Sequence, residues 1–309
     1  MIDIRQILVG VDLHPRRPEV TPGSLNALRQ ATWLAGEQGA ELLLVHSTWR
    51  DGDDDGDAAG DPAERLSEEA RAAIDEAVKE AAGEGAERSA RLVLTPERPW
   101  LAITRAVLRG EADLVVIGKR DEESTDGRNL GSVAVKLLRK CPGPVWVVKP
   151  EHDLVHKLVL SATDLSAVGD EAVNHGAFVA ERASANLHVV HAYQIPMSVQ
   201  LAGSRMSEDE YQAELDGLKS RAQARIDELI SASSFDGESV VHVGKNSPSL
   251  AIREAVEHLH PDLLVMGTVS RGGIAGFLVG NTAEKLLDQV DCSMLTVKPR
   301  DFVCPVELS

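Results

Sequence analysis

Aromatic residues, cysteines and long apolar runs are all scarce in this chain of 309 residues. Phe, Trp and Tyr together make up only 3% of it, so a core must be built mainly from Ala, Val, Leu and Ile. Three cysteines without a Cys-x-x-Cys pair are too few for a disulfide framework, and we expect reduced thiols. No apolar run approaches the roughly 20 residues that span a bilayer. We therefore expect no membrane span, no export signal and a cytoplasmic location.

Positive charge is also in deficit, with 32 Lys and Arg against 49 Asp and Glu, a formal net charge of −17. Such a surface does not suit nucleic-acid phosphates, so no nucleic-acid partner is expected. Six of the aspartates lie between Asp51 and Asp61 in an Asp- and Gly-rich stretch. Alternating Asp and Gly suggests calcium, but the twelfth position of the stretch is not the Glu that an EF-hand requires. A solvated charged loop is the preferred interpretation, and no metal site is predicted.

The chain contains an internal repeat, which is visible as four segments that recur in the same order. The second copies follow the first by 152, 145, 149 and 149 residues, so a unit of about 150 residues has been duplicated. The paired segments are QILVGVDL and KLVLSATDL, AELLLVH and ANLHVVH, ADLVVIG and PDLLVMG, and VWVVKP and MLTVKP. The repeat predicts one domain over residues 1–150, a second over residues 155–300 and a C-terminal tail over residues 301–309.

Each repeat alternates short β-rich runs with amphipathic helical segments. For example, LVLSAT is predicted to form the first strand of the second repeat and SVAVKLLRK the fourth helix of the first, and a further helix is predicted near residues 282–290. Strands that alternate with helices of 10 to 20 residues indicate parallel pairing with right-handed crossovers. The strands are nearly continuous apolar runs, as is typical when helices cover both faces of a sheet. The predicted fold class is therefore α/β, with two tandem, doubly wound, five-stranded parallel sheets.

Ligands of such sheets bind beyond the carboxyl ends of the strands, near the point where strand order reverses. Gly118 and Gly267 end the fourth strand of each repeat, and Gly131 with Ser132 precedes the next helix. Glycines let the backbone approach a ligand, and N–H groups at a helix N-terminus bind phosphate. The alternative is that Gly118 only forms a turn and Ser132 only caps the helix. Spacing does not decide between a phosphate site and these local roles.

Polar residues end the other strands. Asp12 and Asp164 follow the first strand of each repeat, where each could accept a hydrogen bond from a nucleoside or stabilise its own loop. His46 and His191 end the second strands, and for both we expect a hydrogen bond to a nearby carbonyl rather than a ligand. These residues are compatible with binding but do not form a catalytic set.

A shared zinc site of His188, His191 and His242 is a further hypothesis, because the three lie on strands predicted to be neighbours. Alternation along a strand places His188 and His191 on opposite faces, which weighs against that site.

Several catalytic and cofactor motifs are missing. No G-x-G-x-x-G follows either first strand, no Walker-type loop occurs, and no G-x-S-x-G nucleophile motif is present. A phosphoacceptor domain needs an Asp after the third strand, where this chain has Leu94-Thr95 and Val243-Gly244. No catalytic residue is predicted.

The ordered landmarks resemble the universal stress protein family. The second repeat, with MGTVSRGGIAGFLVGNTAEKLL, is similar to the E-type tandem proteins of proteobacteria. The resemblance covers both repeats, and it implies the adenine nucleotide alpha hydrolase-like fold.

ATP-binding members of that family carry G-x-x-G, nine residues, then G-[ST], after the fourth strand. Both repeats keep the outer glycines, but Asp121 and Ser270 replace the inner glycine, and Asn281 replaces the final hydroxyl residue of the second repeat. Asp121 would oppose a polyphosphate, whereas Ser270 is a milder change. The nucleotide-binding candidates that the resemblance implies are Asp12, Gly118, Gly131, Ser132, Asp164, Gly267, Ser270, Gly280, Asn281 and Thr282.

The favoured interpretation is a tandem universal stress protein that acts by binding and interaction, with altered nucleotide loops and no catalysis. One alternative is an ATP-binding switch with slow ATPase activity through the second loop, with ATP or a related adenine nucleotide as ligand. Another is a binder of a small apolar ligand or metabolite between the halves. The resemblance further implies that the halves pair as a pseudo-dimer, with VWVVK and MLTVK as the pairing strands. A homodimer of full chains stays open.

Overall fold

The structure is a computed structural model. It describes residues 2–14, 17, 19–49, 68–83, 90–119, 131–149, 156–193, 195, 197, 199, 206–244, 247–268, 286 and 289–308. These residues fall into two compact units. The first unit takes its described residues mainly from 3–154 and 293–309, and the second takes them mainly from 155–273 and 280–292.

Ten strands are formed by the described residues, and nine of them follow the predicted parallel pattern. The interior residues of the central strands are buried, which agrees with the apolar composition of these runs. The strands are β1 Gln6–Gly10, β2 Glu41–Ser47, β3 Ala90–Thr95, β4 Leu114–Gly118, β5 Val145–Val148, β6 Leu158–Thr163, β7 Asn186–Ala192, β8 Ser239–Gly244, β9 Leu263–Gly267 and β10 Ser293–Val297.

The helices connect successive strands, as crossovers between parallel strands require. Within the described ranges they are α1 Pro22–Gln38, α2 Glu68–Ala82, α3 Pro99–Leu108, α4 Ser132–Lys140, α5 Ala167–Ala183, α6 Glu208–Ser231 and α7 Pro248–Leu259. The helix predicted near residues 282–290 lies almost wholly outside the described residues. None of the described helices combines the length and apolar character that crossing a membrane requires.

Strand order in the first unit is β3-β2-β1-β4-β5-β10, and in the second unit it is β9-β6-β7-β8. The predicted α/β fold class is confirmed. In each unit the order reverses beside the first strand of the repeat, between β1 and β4 and between β6 and β9. The carboxyl ends of these strands are the place where a doubly wound sheet binds ligands.

The last strand of the second repeat pairs with the last strand of the first. In antiparallel register, Met294 lies opposite Val147 and Leu295 lies opposite Trp146. The sequence prediction that VWVVK and MLTVK pair is confirmed, and the first unit therefore has six strands rather than the expected five. The predicted domain boundaries at residues 150, 155 and 300 stay a prediction.

The C-terminal segment after β10 contacts α4 of the first unit. The thiol of Cys304 donates to the carbonyl of Lys140 at 3.1 Å, and the amine of Lys298 donates to the carbonyl of Leu138. Both acceptors belong to the last turn of α4, whose carbonyls have no partner within the helix. The segment thus supplies C-terminal capping contacts to a helix of the first repeat.

Candidate functional site

The carboxyl ends of β1, β2 and β4 meet at one edge of the first unit's sheet. Gly10 is the register partner of both Val45 and Ile117, so Asp12, His46 and Gly118 lie at the carboxyl ends of three adjacent strands. The second unit repeats this arrangement, since β6 pairs in parallel with β7 and with β9. The structure thus brings Asp164, His191 and Gly267 to corresponding strand ends.

Asp12 is tied by its main chain to the start of α1. Its N–H donates to the hydroxyl of Ser24 at 2.9 Å, and its carbonyl accepts from the N–H of Thr21 at 3.0 Å. Thr21 is the N-cap of α1, because its hydroxyl accepts from the N–H of Ser24. These contacts place Asp12 at the helix N-terminus, where the helix dipole favours a carboxylate or another anion.

Gly118 is in direct contact with the backbone of α1. A Cβ atom at this position would lie 2.2 Å from the carbonyl carbon of Gly23, and a Cβ atom at Gly23 would lie 2.4 Å from the carbonyl oxygen of Lys119. Two backbones therefore cross here at a distance that only a pair of glycines allows. Gly118 has a packing reason to be glycine, whether or not a ligand approaches it.

Gly267 occupies the corresponding position under a looser constraint. A Cβ atom there would lie 3.1 and 3.2 Å from the two γ-methyl groups of Val168. Because the neighbour is a side chain rather than a backbone, it has room to adjust. The two strand-end glycines are equivalent in sequence but not in packing.

The N-cap of α4 is Gly131, not Ser132. Gly131 has φ −64° and ψ 150°, the extended conformation of an N-cap, and Ser132 is the first residue of the helix. The prediction that Ser132 caps the helix is thus wrong by one residue, because the N-cap is one position earlier in the chain. The phosphate-binding role of Gly131 and Ser132 stays a prediction.

Asp164 stabilises its own loop. Its Oδ1 accepts hydrogen bonds from the N–H of Ser166 at 3.0 Å and from the hydroxyl of Ser166. That hydroxyl in turn accepts from the N–H of Gly169, so Ser166 caps α5. One of the two roles proposed for Asp164 from the sequence is therefore present in the structure, and its nucleotide contact stays a prediction.

The two strand-end histidines hold the ends of the neighbouring strands. Nδ1 of His46 lies 2.9 Å from the carbonyl oxygen of Val11, and Nδ1 of His191 lies 2.8 Å from that of Thr163. Both side chains are buried. The predicted hydrogen bond to a carbonyl is confirmed in both repeats.

Two polar residues of α1 were missed by sequence reasoning. Ser24 and Asn26 are both buried, and the amide of Asn26 donates to the carbonyl of Lys149 at 2.9 Å, beyond the end of β5. The signal was available, because both lie on the helix turn that directly follows the Thr21 cap. Polar residues at the start of an otherwise apolar helix face indicate contacts with strand ends.

Four candidates of the second loop, namely Ser270, Gly280, Asn281 and Thr282, lie outside the described residues, as does Asp121 of the first. The Asp-rich stretch 51–61 lies outside them as well. In the part of the chain that is described, no group of three or more His, Cys, Asp or Glu residues is placed to hold a metal ion.

Comparison with known proteins gives the same picture of two copies of one domain. The model of the universal stress protein family matches residues 3–149 and again residues 156–298. The chain belongs to the universal stress protein family. It is a tandem member, since the family domain occurs twice.

The relatives of this universal stress protein include E-type proteins. Universal stress protein E of Salmonella typhi is 30% identical over 225 residues, which cover 70% of this chain and 70% of that protein. The protein of the same name from Escherichia coli K12 is 29% identical over the same shares. The predicted resemblance of this chain to E-type tandem universal stress proteins is confirmed.

Solved structures share the fold along almost the whole chain. A Pseudomonas aeruginosa PAO1 protein described as functionally unknown has a TM-score of 0.66 at 23% identity, covering 96% of this chain and 94% of its own. A universal stress protein from Archaeoglobus fulgidus has a TM-score of 0.61 at 18% identity, covering 96% and 98%. At these identities the likeness concerns the fold alone.

Proposed function

We propose that this tandem universal stress protein acts in the stress response by binding and interaction rather than by catalysis. Family membership supports the role in the stress response. The observation that carries the binding role is that both repeats place an Asp and a capped helix N-terminus at their strand ends. The histidines at those ends, His46 and His191, are buried supports of the backbone. A buried histidine bonded to a main-chain carbonyl positions backbone and is poorly placed to exchange protons with a substrate.

The ligand that this edge suits best is an adenine nucleotide. Each repeat brings an Asp, a strand-end glycine and a capped helix N-terminus to adjacent strand ends, and N-terminal N–H groups attract phosphate.

Calorimetric titration of the full chain with ATP tests the proposal, with loop variants Gly131→Val and Gly280→Val. Gly131 has φ −64°, which any residue adopts, so its variant adds bulk without forcing the backbone. We expect heat of binding in the wild type that one of these variants abolishes. The variant that no longer binds ATP identifies the repeat in which ATP binds. Absence of heat at about 1 mM ATP, a thousandfold above micromolar affinity, would exclude the nucleotide as ligand.

A phosphate-release assay on the same proteins separates binding from hydrolysis. We expect the wild type to release phosphate no faster than the protein-free blank. Release above the blank that Gly280→Val abolishes would instead establish the ATPase switch of the second repeat. Mass spectrometry of gently purified protein provides the third arm, because a co-purified apolar molecule in place of nucleotide would favour the small-ligand alternative.

A further inference from the structure

Two histidines meet on adjacent strands of the second unit, within the strands rather than at their carboxyl ends. Nε2 of His242 on β8 lies 3.0 Å from Nδ1 of His188 on β7. Their ring centroids are 5.1 Å apart, and the rings are tilted by 36°. Both side chains are half-buried, so solvent reaches the pair.

Strand register explains why this pair forms and why His191 does not join it. His188 lies opposite Val240, and His242 lies opposite Val190, so the two histidines project from the same face of the sheet. His191 is three residues beyond His188, on the other face, and it is bonded to Thr163. The sequence hypothesis of a three-histidine site therefore fails at His191 but leaves a pair.

The first repeat has no such pair at the same register positions. The register of β2 with β3 matches that of β7 with β8, since Leu42 lies opposite Ala90 as Leu187 lies opposite Ser239. In this register Leu43 corresponds to His188, and Val93 corresponds to His242. Both repeats form these strands, so the fold accepts apolar residues here. The histidines are a feature of the second repeat that the strand pairing does not require.

The environment of the pair keeps both imidazoles neutral at neutral pH. Burial lowers the pKa of His188, as does the neighbouring imidazole of His242, while the carboxylate of Glu238 opposes that shift. Burial also lowers the pKa of His242. Two neutral imidazoles share one N–H···N hydrogen bond. When the donor imidazole changes to its other tautomer, its proton moves to the other ring nitrogen and two nitrogen lone pairs face one point.

The spacing of these nitrogens suits a metal ion. Two nitrogens bound to one Zn²⁺ at about 2.0–2.1 Å are about 3.3 Å apart when the ion is tetrahedral. The 3.0 Å separation is close to that value, so a small ring rotation suffices. Imidazole ligands suit Zn²⁺, Cu²⁺ and Ni²⁺, whereas Mg²⁺ and Ca²⁺ require oxygen ligands.

We propose that His188 and His242 form a two-histidine site for a divalent transition-metal ion of the Zn²⁺ class. On binding, the shared proton moves to the other ring nitrogen of the imidazole that carries it. The ion then takes the place of that proton, joins β7 to β8 through both side chains, and completes its coordination with solvent. With two protein ligands the site is an open, exchangeable one, unlike the four-ligand sites that drive folding. Affinity falls as the pH drops, because a protonated imidazole has no lone pair to offer the ion.

Titration of the full chain with ZnCl₂ in a non-chelating buffer, followed by calorimetry, tests the proposal. The key variant is His188→Leu with His242→Val, which installs the residues of the first repeat and so preserves packing. We expect a wild-type binding event that each single substitution weakens at least about tenfold and that the double substitution removes. The control is His258→Gln, an exposed histidine on α7, which should bind Zn²⁺ like the wild type.

A second measurement guards against loss of fold and against zinc bound elsewhere. Circular dichroism establishes that the double variant is folded, and ring-proton NMR signals of two histidines should shift or broaden with Zn²⁺ in the wild type only. Equal heats of Zn²⁺ binding in the wild type and the folded double variant would overturn the proposal. So would histidine ring-proton signals that do not change at about 1 mM Zn²⁺, because the pair would then be a hydrogen bond without a metal site. Neither result bears on ATP binding, which uses different residues.

Discussion

At the scale of single residues, the two repeats use the same amino acid for different reasons. Gly118 and Gly267 both end the fourth strand, yet Gly118 touches the backbone of Gly23, whereas Gly267 faces the side chain of Val168. Backbone atoms have little freedom to move aside, while a valine can rotate or shift. Equal residues at equivalent positions therefore differ in their tolerance of substitution.

The substitution Gly118→Ala should destabilise the protein by about 3 kcal/mol or more, at the upper end of the cost of overpacking. Its new Cβ would lie 2.2 Å from a backbone carbon. The matched variant Gly267→Ala, with nearest contacts of 3.1 and 3.2 Å, should cost no more than about 1 kcal/mol. Urea unfolding midpoints compare the two, and equal shifts would show that the close approach of Gly118 and Gly23 is not limiting.

At the scale of elements, the segment from β10 to the C-terminus is held in part by the amine of Lys298, which is largely buried. Lys298 donates to the carbonyl of Leu138, and its ammonium lies 5.0 Å from the centroid of the Phe302 ring. Burial nevertheless lowers the pKa of Lys298 from 10.5 to about 8. Burial also raises the pKa of the nearby Cys141 thiol to about 12.

The pKa of Lys298 predicts how stability depends on pH. Between pH 8 and 10.5 the unfolded chain retains this proton and the folded chain loses it, so the free energy of unfolding rises with pH. Relative to Lys298→Met, the wild type should gain about 3 kcal/mol across this window. Cys141 is present in both proteins, so the comparison cancels the effect of its burial and leaves only its charge interaction with Lys298.

Chemical unfolding of both proteins at intervals between pH 7 and 11 measures this difference. The exposed Lys79→Met variant is the control, and its stability should follow the wild type at every pH. Parallel curves for the wild type and Lys298→Met would mean that the Lys298 amine is charged in the folded protein throughout, held by Leu138 and Phe302.

At the scale of the whole molecule, the second repeat completes the sheet of the first. β5 pairs with β4 on one side and with β10 on the other, and all four residues of β5 are buried. A fragment that ends before β10 exposes one edge of this apolar strand. Unprotected edge strands pair with other chains.

The fragment of residues 1–150 should therefore self-associate, through the edge of β5 that β10 covers in the full chain. Size-exclusion chromatography with light scattering measures the mass, and a synthetic peptide of residues 290–309 should return the fragment to a monomer. A soluble, stable monomer without the peptide would count against the pseudo-dimer that the family resemblance implies.

The sequence was sufficient for most elements of this protein. Strand limits such as those of β6 and helix limits such as those of α4 agree with the prediction, because apolar runs and amphipathic periods are local patterns. The candidate site was predicted to the level of strand ends. Its contacts were not, since the approach of Gly118 to Gly23 depends on how α1 crosses β4, a relation between segments about 95 residues apart.

By itself, the sequence determined the duplication, the α/β class and the family, because each depends on the order of residues along the chain. Only the tertiary structure decided three other features: the place of β10 beside β5, the reason for glycine at position 118, and the meeting of His188 with His242. All three join residues far apart in sequence. Strand register and backbone crossing distance decide such contacts, and a slip of one residue would turn His242 to the opposite face of the sheet.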